Sequence, residues 1–162
     1  MIFDMKVAVK AIVAGAVGAL LLILVNGFNY LLQDLLMKVL NVGYSLSSTI
    51  SLWSNFFVYL LSIIVGLAVG VLAMWLCRTG IKSIKTMVII PAVAGLTLGG
   101  LCLVARLGYE LIIKPLLVGY SLNPQNALVT VLYSGTDLVM MIGLVLAGAA
   151  ICAAFVVKTE IG

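Results

Sequence analysis

Histidine is absent from the sequence, and charged residues make up only 9% of it. The first absence removes the commonest metal ligand and the usual general base near neutral pH. The second removes the solvating surface of an ordinary soluble domain, which carries about 25% charge. Cysteine is scarce as well. Cys77, Cys102 and Cys152 lie far apart within apolar runs, with neither metal-ligand spacing nor a disulfide framework. They read as small buried apolar side chains. No phosphate-binding glycine motif, Cys/His cluster or Ser/His/Asp set occurs. Asp137 follows Ser134-Gly135-Thr136, but a lone acid near hydroxyls is not a site. Catalytic residues, metal ligands and cofactors are not expected, so the chain reads as non-enzymatic. The net charge of +4 is small, and no nucleic-acid contact is evident.

What is present is apolar: 65% of the residues, with a mean hydropathy of +1.35. Four runs stand out, Ala11–Val25, Phe56–Cys77, Met87–Ala105 and Leu138–Val157. Each approaches the ~20 residues that cross ~30 Å of hydrocarbon as a helix. They lack the alternating polarity of barrel strands. The first run follows Lys6 and Lys10 as a signal peptide would, but has no Ala-x-Ala-type site and is expected to be retained.

The five residues Val42-Gly43-Tyr44-Ser45-Leu46 recur as Val118-Gly119-Tyr120-Ser121-Leu122, 76 positions later. Upstream, Asp34 matches Glu110, Lys38 matches Lys114, and Leu35 and Leu40 match Leu111 and Leu116. The chain therefore reads as one unit written twice, residues 1–80 and 81–162, each a helical hairpin with two transmembrane helices. The expected fold is all-α and membrane-integral: a four-helix bundle of two tandem hairpins inserted in the same orientation. Parallel repeats of this kind are related by an axis along the membrane normal.

Charge placement orients it. Lys6, Lys10, Arg78, Lys82, Lys85 and Lys158 gather at one end of the spans, accompanied only by Asp4 and Glu160. The positive-inside rule puts that end, with both termini, in the cytoplasm. The Val-Gly-Tyr-Ser-Leu tips then face the other side. Helical periodicity continues past the first apolar run through Leu31, Leu32, Leu35, Leu36, Val39 and Leu40, with Asn26-Gly27 as the one break signal. The second unit continues likewise through Leu107, Leu111, Ile112 and Leu116. Such helices reach roughly 50 Å, so the tips are expected to stand outside the hydrocarbon. Gly43 and Gly119 suit the ends of the outgoing helices, Ser47-Ser48 and Asn123-Pro124 the starts of the returning ones. Pro91 reads as a helix-start residue of the third span, or a kink within it.

Two groups of residues are the candidate sites. Arg106, Glu110 and Lys114 share a helix face at i, i+4, i+8. Asp137 falls level with Arg106 across the second hairpin and completes a neutral interfacial cluster that sets helix register. In the first hairpin only Asp34 and Lys38 correspond, with Tyr30 and Leu61 in place of Arg106 and Asp137. The second group is small residues four apart: Ala14 and Gly18, Gly66 and Gly70, Gly95 and Gly99, Gly143 and Ala147. These let helix backbones approach closely in lipid. Tyr30, Tyr44, Trp53, Phe56, Phe57, Tyr59, Tyr109, Tyr120 and Tyr133 gather in the outer half as an aromatic belt.

Ser48-Thr49-Ile50-Ser51-Leu52, followed by Phe56-Phe57-Val58-Tyr59 through Ile63-Ile64-Val65, resembles the major capsid proteins of archaeal spindle-shaped viruses. The pattern is a Gly/Ser/Thr turn followed by a Leu/Phe/Tyr/Ile-rich helix. That family has one hairpin and a basic tail, whereas this chain has two hairpins. Hydrophobic pilins share the two-helix outline. The resemblance implies a self-assembling, lipid-associated shell protein. The leading expectation is thus a membrane structural protein whose partners are lipids and further copies of itself or a larger assembly, in a membrane or a lipid-associated particle. A small oligomeric channel or transporter, or an accessory subunit of a larger complex, is the alternative.

Overall fold

A computed structural model describes residues 5–39, 44–81, 83–118 and 124–161; at 34–39, 44–47, 80, 117–118, 124–127, 130, 134 and 155–161 it describes backbone only. All regular structure in these segments is helical: α1 (Met5–Val39), α2 (Tyr44–Cys77), a 3₁₀ turn (Arg78–Gly80), α3 (Ile84–Gly108), a π-turn (Tyr109–Ile113), α4 (Lys114–Val118) and α5 (Pro124–Ile161). Four helical stretches are long and apolar enough to cross a membrane: Met5–Gln33, Ser48–Cys77, Ile84–Leu116 and Val131–Ala154.

Local chemistry explains the starts of α3 and α5. Ser83 caps α3 with a reciprocal box: its hydroxyl accepts from the Thr86 amide at 3.4 Å, and its own amide donates to Thr86 Oγ1 at 3.1 Å. Pro124 is the first residue of α5, where a missing N–H costs nothing. Asn26-Gly27 does not break α1. Asn26 folds back onto the Leu22 carbonyl at 2.9 Å, and the helix runs through. Nor does Pro91 start α3. It lies buried inside the helix, eight positions into it. The returning helix of the first unit begins at Tyr44, ahead of Ser47-Ser48.

The two helices of each unit run antiparallel in matching register. Asn29 bonds Asn55, Ser51 bonds Gln33, and Cys77 bonds the Val7 carbonyl; each pair of residue numbers totals 84. In the second unit Gly95 lies against Ile142 and Gly99 against Leu138, pairs that total 237. Within the spans Gly18 and Gly95, Gly66 and Gly143, and Gly70 and Ala147 stand 77 positions apart. Shifting both partners of the first register by that offset gives the second to within one residue.

The two units stand side by side rather than about a central two-fold axis. A two-fold axis would put α1 and α3 at opposite corners of the bundle. Instead α1 packs on α3 and α2 packs on α5, α2 and α3 meet across the short diagonal, and α1 and α5 are the distant corners. The neighbours run in the same direction. Gly15 and Tyr30 of α1 meet Ala94 and Tyr109, and Gly66 and Gly70 of α2 meet Leu144 and Ala149. One unit is therefore carried onto the other mainly by a sideways shift, which corrects the expected axis.

The bundle axis is filled by small and branched side chains. Ala11, Ala14, Ala73, Cys77, Ile90, Ala94, Leu98 and Val145 are fully buried. Large apolar side chains such as Leu24, Phe28, Val104 and Val139 point outward and are about two-thirds exposed. Water would penalise that surface by ~25 cal/mol for each Å², whereas hydrocarbon would not.

Candidate functional site

Polar groups converge in the half of the bundle nearest the tips, and each unit supplies a different kind. The first contributes an uncharged ladder between α1 and α2. Gln33 Nε2 donates to Ser54 Oγ at 2.9 Å and to Asn29 Oδ1 at 3.2 Å. Asn29 Nδ2 donates to Asn55 Oδ1 at 3.3 Å, and Ser51 closes the ladder onto Gln33 Oε1 at 3.4 Å. The hydrophobic runs of the sequence hide this ladder, because Asn29 and Gln33 meet Ser51, Ser54 and Asn55 only once the two helices pair.

The second unit contributes charge. The Arg106 guanidinium donates through Nη1 to Asp137 Oδ2, the pairing expected across the second hairpin. Lys114 Nζ binds Glu110 Oε2 at 3.0 Å. The four charges thus form two ion pairs. The π-turn contributes to the split: the Lys114 amide reaches back five residues to the Tyr109 carbonyl, which turns the helix face between Arg106 and Lys114. Asp34 and Lys38 lie on α1, and their side chains fall outside the described residues. Of the two Val-Gly-Tyr-Ser-Leu tips, Val42-Gly43 and Gly119-Tyr120-Ser121-Leu122 fall outside them too, whereas Tyr44-Ser45-Leu46 form the first turn of α2.

The two polar sets meet through Tyr30 and Tyr109, whose rings stack at 5.2 Å with 20° between planes. Beside this stack lies a cavity of about 600 Å³ walled by all four long helices. Its apolar floor includes Leu22, Gly99, Leu138 and Met141; its polar rim includes Asn26, Asn55, Arg106 and Asp137. The Nε of Arg106 is buried and has no hydrogen-bond partner among the described residues. Deeper in the spans, the Ser62 and Thr97 hydroxyls bond their own helices, at Val58 O (2.8 Å) and Val93 O (2.9 Å). They add no step towards the opposite end.

The small residues sort by the depth of contact they permit. A side chain on Gly70 would strike the backbone of Val145 and Ala149; on Gly148, the backbone of Leu67; on Gly15, the Ala94 carbonyl. These three hold the two units together. Gly18, Gly66, Gly95 and Gly99 pack chiefly against Val69, Leu144, Ile142 and Leu138. Gly143, expected at a packing face, is exposed and has no neighbour within 4 Å, and Ala147 is exposed as well. Gly15 and Gly148, which stand outside the four pairs picked from the sequence, take the close contacts instead. Among the described residues no group of His, Cys, Asp and Glu suits a metal ion. Comparison with protein-family models, with curated proteins and with solved structures yields no match for this chain.

Proposed function

We propose that this chain is a non-enzymatic integral membrane building block that assembles head to tail with copies of itself. It spans the bilayer four times as two like-oriented hairpins. Both termini are cytoplasmic, and the tips project on the other side.

One observation carries the reading: the interface between the two units has an exposed counterpart at each end of the chain. Gly66 and Gly70 of α2 are buried against α5; 77 positions on, Gly143 and Ala147 are exposed. Val145 and Gly148 of α5 are buried towards α2; 77 positions back, Ala68 and Val71 are exposed. Ala94 and Leu98 of α3 are buried beside α1, and Val17 and Leu21 are exposed in the same way. A sideways shift that is favourable once inside the chain supplies a groove of small residues on one flank and a matching ridge on the other. An interface of this heterologous type leaves a free face on each copy; it builds rings where the rotation closes and filaments where it does not. The capsid-like helix pattern after Ser48 agrees with that behaviour. Fully buried Ile90, Ala94, Leu98 and Val145 block the bundle axis, which disfavours a pore through a single chain.

Electron microscopy after extraction in a mild detergent or native nanodiscs tests the proposal. A lattice, shell, ring or filament with one chain per repeat supports it. A monodisperse single copy, or a closed two-fold dimer, counts against it.

A further inference from the structure

We infer that the cavity beside Tyr30 and Tyr109 is a binding site for an uncharged amphiphile: one aliphatic chain carrying a hydroxyl- or ester-bearing head. Assembly is not required for it, since one chain supplies every wall.

Its volume, about 600 Å³, lies within the ~300–1,000 Å³ of small-molecule sites. Loose packing does not explain it. In the other half of the bundle the helices approach until a single added methyl at Gly15, Gly70 or Gly148 would strike backbone. The cavity runs from the level of Asn55 and Arg106 inward to Leu22, Ser62 and Met141.

The wall has the two-part character of an amphiphile. Leu22, Gly99, Leu138 and Met141 offer an apolar floor for a chain. Asn26, Asn55, Tyr30 and Tyr59 bring amide and hydroxyl groups to the opposite part. Charge selects the head. Arg106 and Asp137 are the two charged residues of the wall, and they neutralise each other. An ionic head of either sign would have to compete with that pair. An oxygen of an ester or hydroxyl would not, and the amide and hydroxyl groups of Asn26, Asn55, Tyr30 and Tyr59 can bond it. The π-turn at Tyr109–Ile113 forms part of the same wall; turns of this kind are frequent at functional sites.

Two glycines give a test that spares the fold. Gly27 and Gly108 line the cavity, and a Cβ added to either meets no atom of a neighbouring helix within 4 Å. The full chain in nanodiscs is titrated with 1-monooleoylglycerol and, separately, with oleate and oleylamine, and retention is read by native mass spectrometry. Saturable binding of one monooleoylglycerol per chain is expected, tighter than either charged probe. Gly27→Leu and Gly108→Leu should weaken it about tenfold or more with helical content and melting temperature unchanged. A photoreactive monoacylglycerol should label α1 near Asn26 and α3 between Gly99 and Ile113, a readout that needs no variant. Non-saturable retention, tighter binding of oleate or oleylamine, affinity untouched by both leucines, or labelling confined to the outward faces would overturn the inference.

Discussion

Gly66 and Gly143 occupy corresponding positions on two like-oriented helices, yet Gly66 lies against Leu144 while Gly143 faces open space. The same residue type at the same repeat position is therefore a packing contact in one unit and a free surface in the other. On the assembly proposed above, that difference separates the residues that hold the fold from those that join copies.

Substitutions should divide along that line. Gly70→Leu and Gly148→Leu drive a side chain into opposing backbone and should each cost about 3 kcal/mol or more, seen as a lowered melting temperature in detergent. Gly143→Leu should leave the melting temperature unchanged and abolish higher assemblies on size-exclusion chromatography.

The Arg106–Asp137 pair is about one-third exposed on each side, so solvent screening limits its worth. Asp137→Asn should destabilise by roughly 1 kcal/mol, measured by thermal unfolding. The exchange Arg106→Asp with Asp137→Arg should recover part of the loss. Full stability of the single variant would remove the pair from any register-setting role.

Gln33 is the hub of the uncharged ladder, bonding Asn29, Ser51, Ser54 and Asn55. Gln33→Leu should cost about 1–2 kcal/mol, close to the sum of modest interhelical bonds of ~0.6 kcal/mol each. Hydrogen exchange should rise at the outer ends of α1 and α2 and not in α3.

Much of this architecture was legible in the residues. Apolar run length located the four long apolar helices, and the level of Arg106 with Asp137 across the second tip anticipated their ion pair. The failures share a physical origin. Asn26-Gly27 reads as a break because propensity describes a helix in water; here Asn26 caps the Leu22 carbonyl within its own helix and neighbouring helices hold the rod. Gly143 reads as a packing residue because spacing fixes a helix face without saying which neighbour covers it. The Gln33 ladder and the cavity depend on which helices meet, as does the sideways relation of the two units. The repeated tip sequence discloses a duplication but not the operation relating its copies.

Orientation is open to a direct check. Ser83→Cys, in the link between the units, should react with a membrane-impermeant maleimide only from the cytoplasmic face. Ser48→Cys, at the start of the second long apolar stretch, should react only from the opposite face. The reverse pattern would invert the topology.

Cross-linking between chains tests the head-to-tail claim most directly. Within the chain Gly70 lies against Val145; between chains the corresponding partners are Ala147 of one copy and Ala68 of the next. A chain carrying Ala68→Cys and Ala147→Cys together, with the native cysteines replaced, should form a ladder of dimers, trimers and higher species on mild oxidation. A mixture of the two single variants should stop at the mixed dimer. Cross-links of Ala147→Cys to itself in preference to Ala68→Cys, or no ladder from the double variant at native membrane density, would contradict sideways stacking.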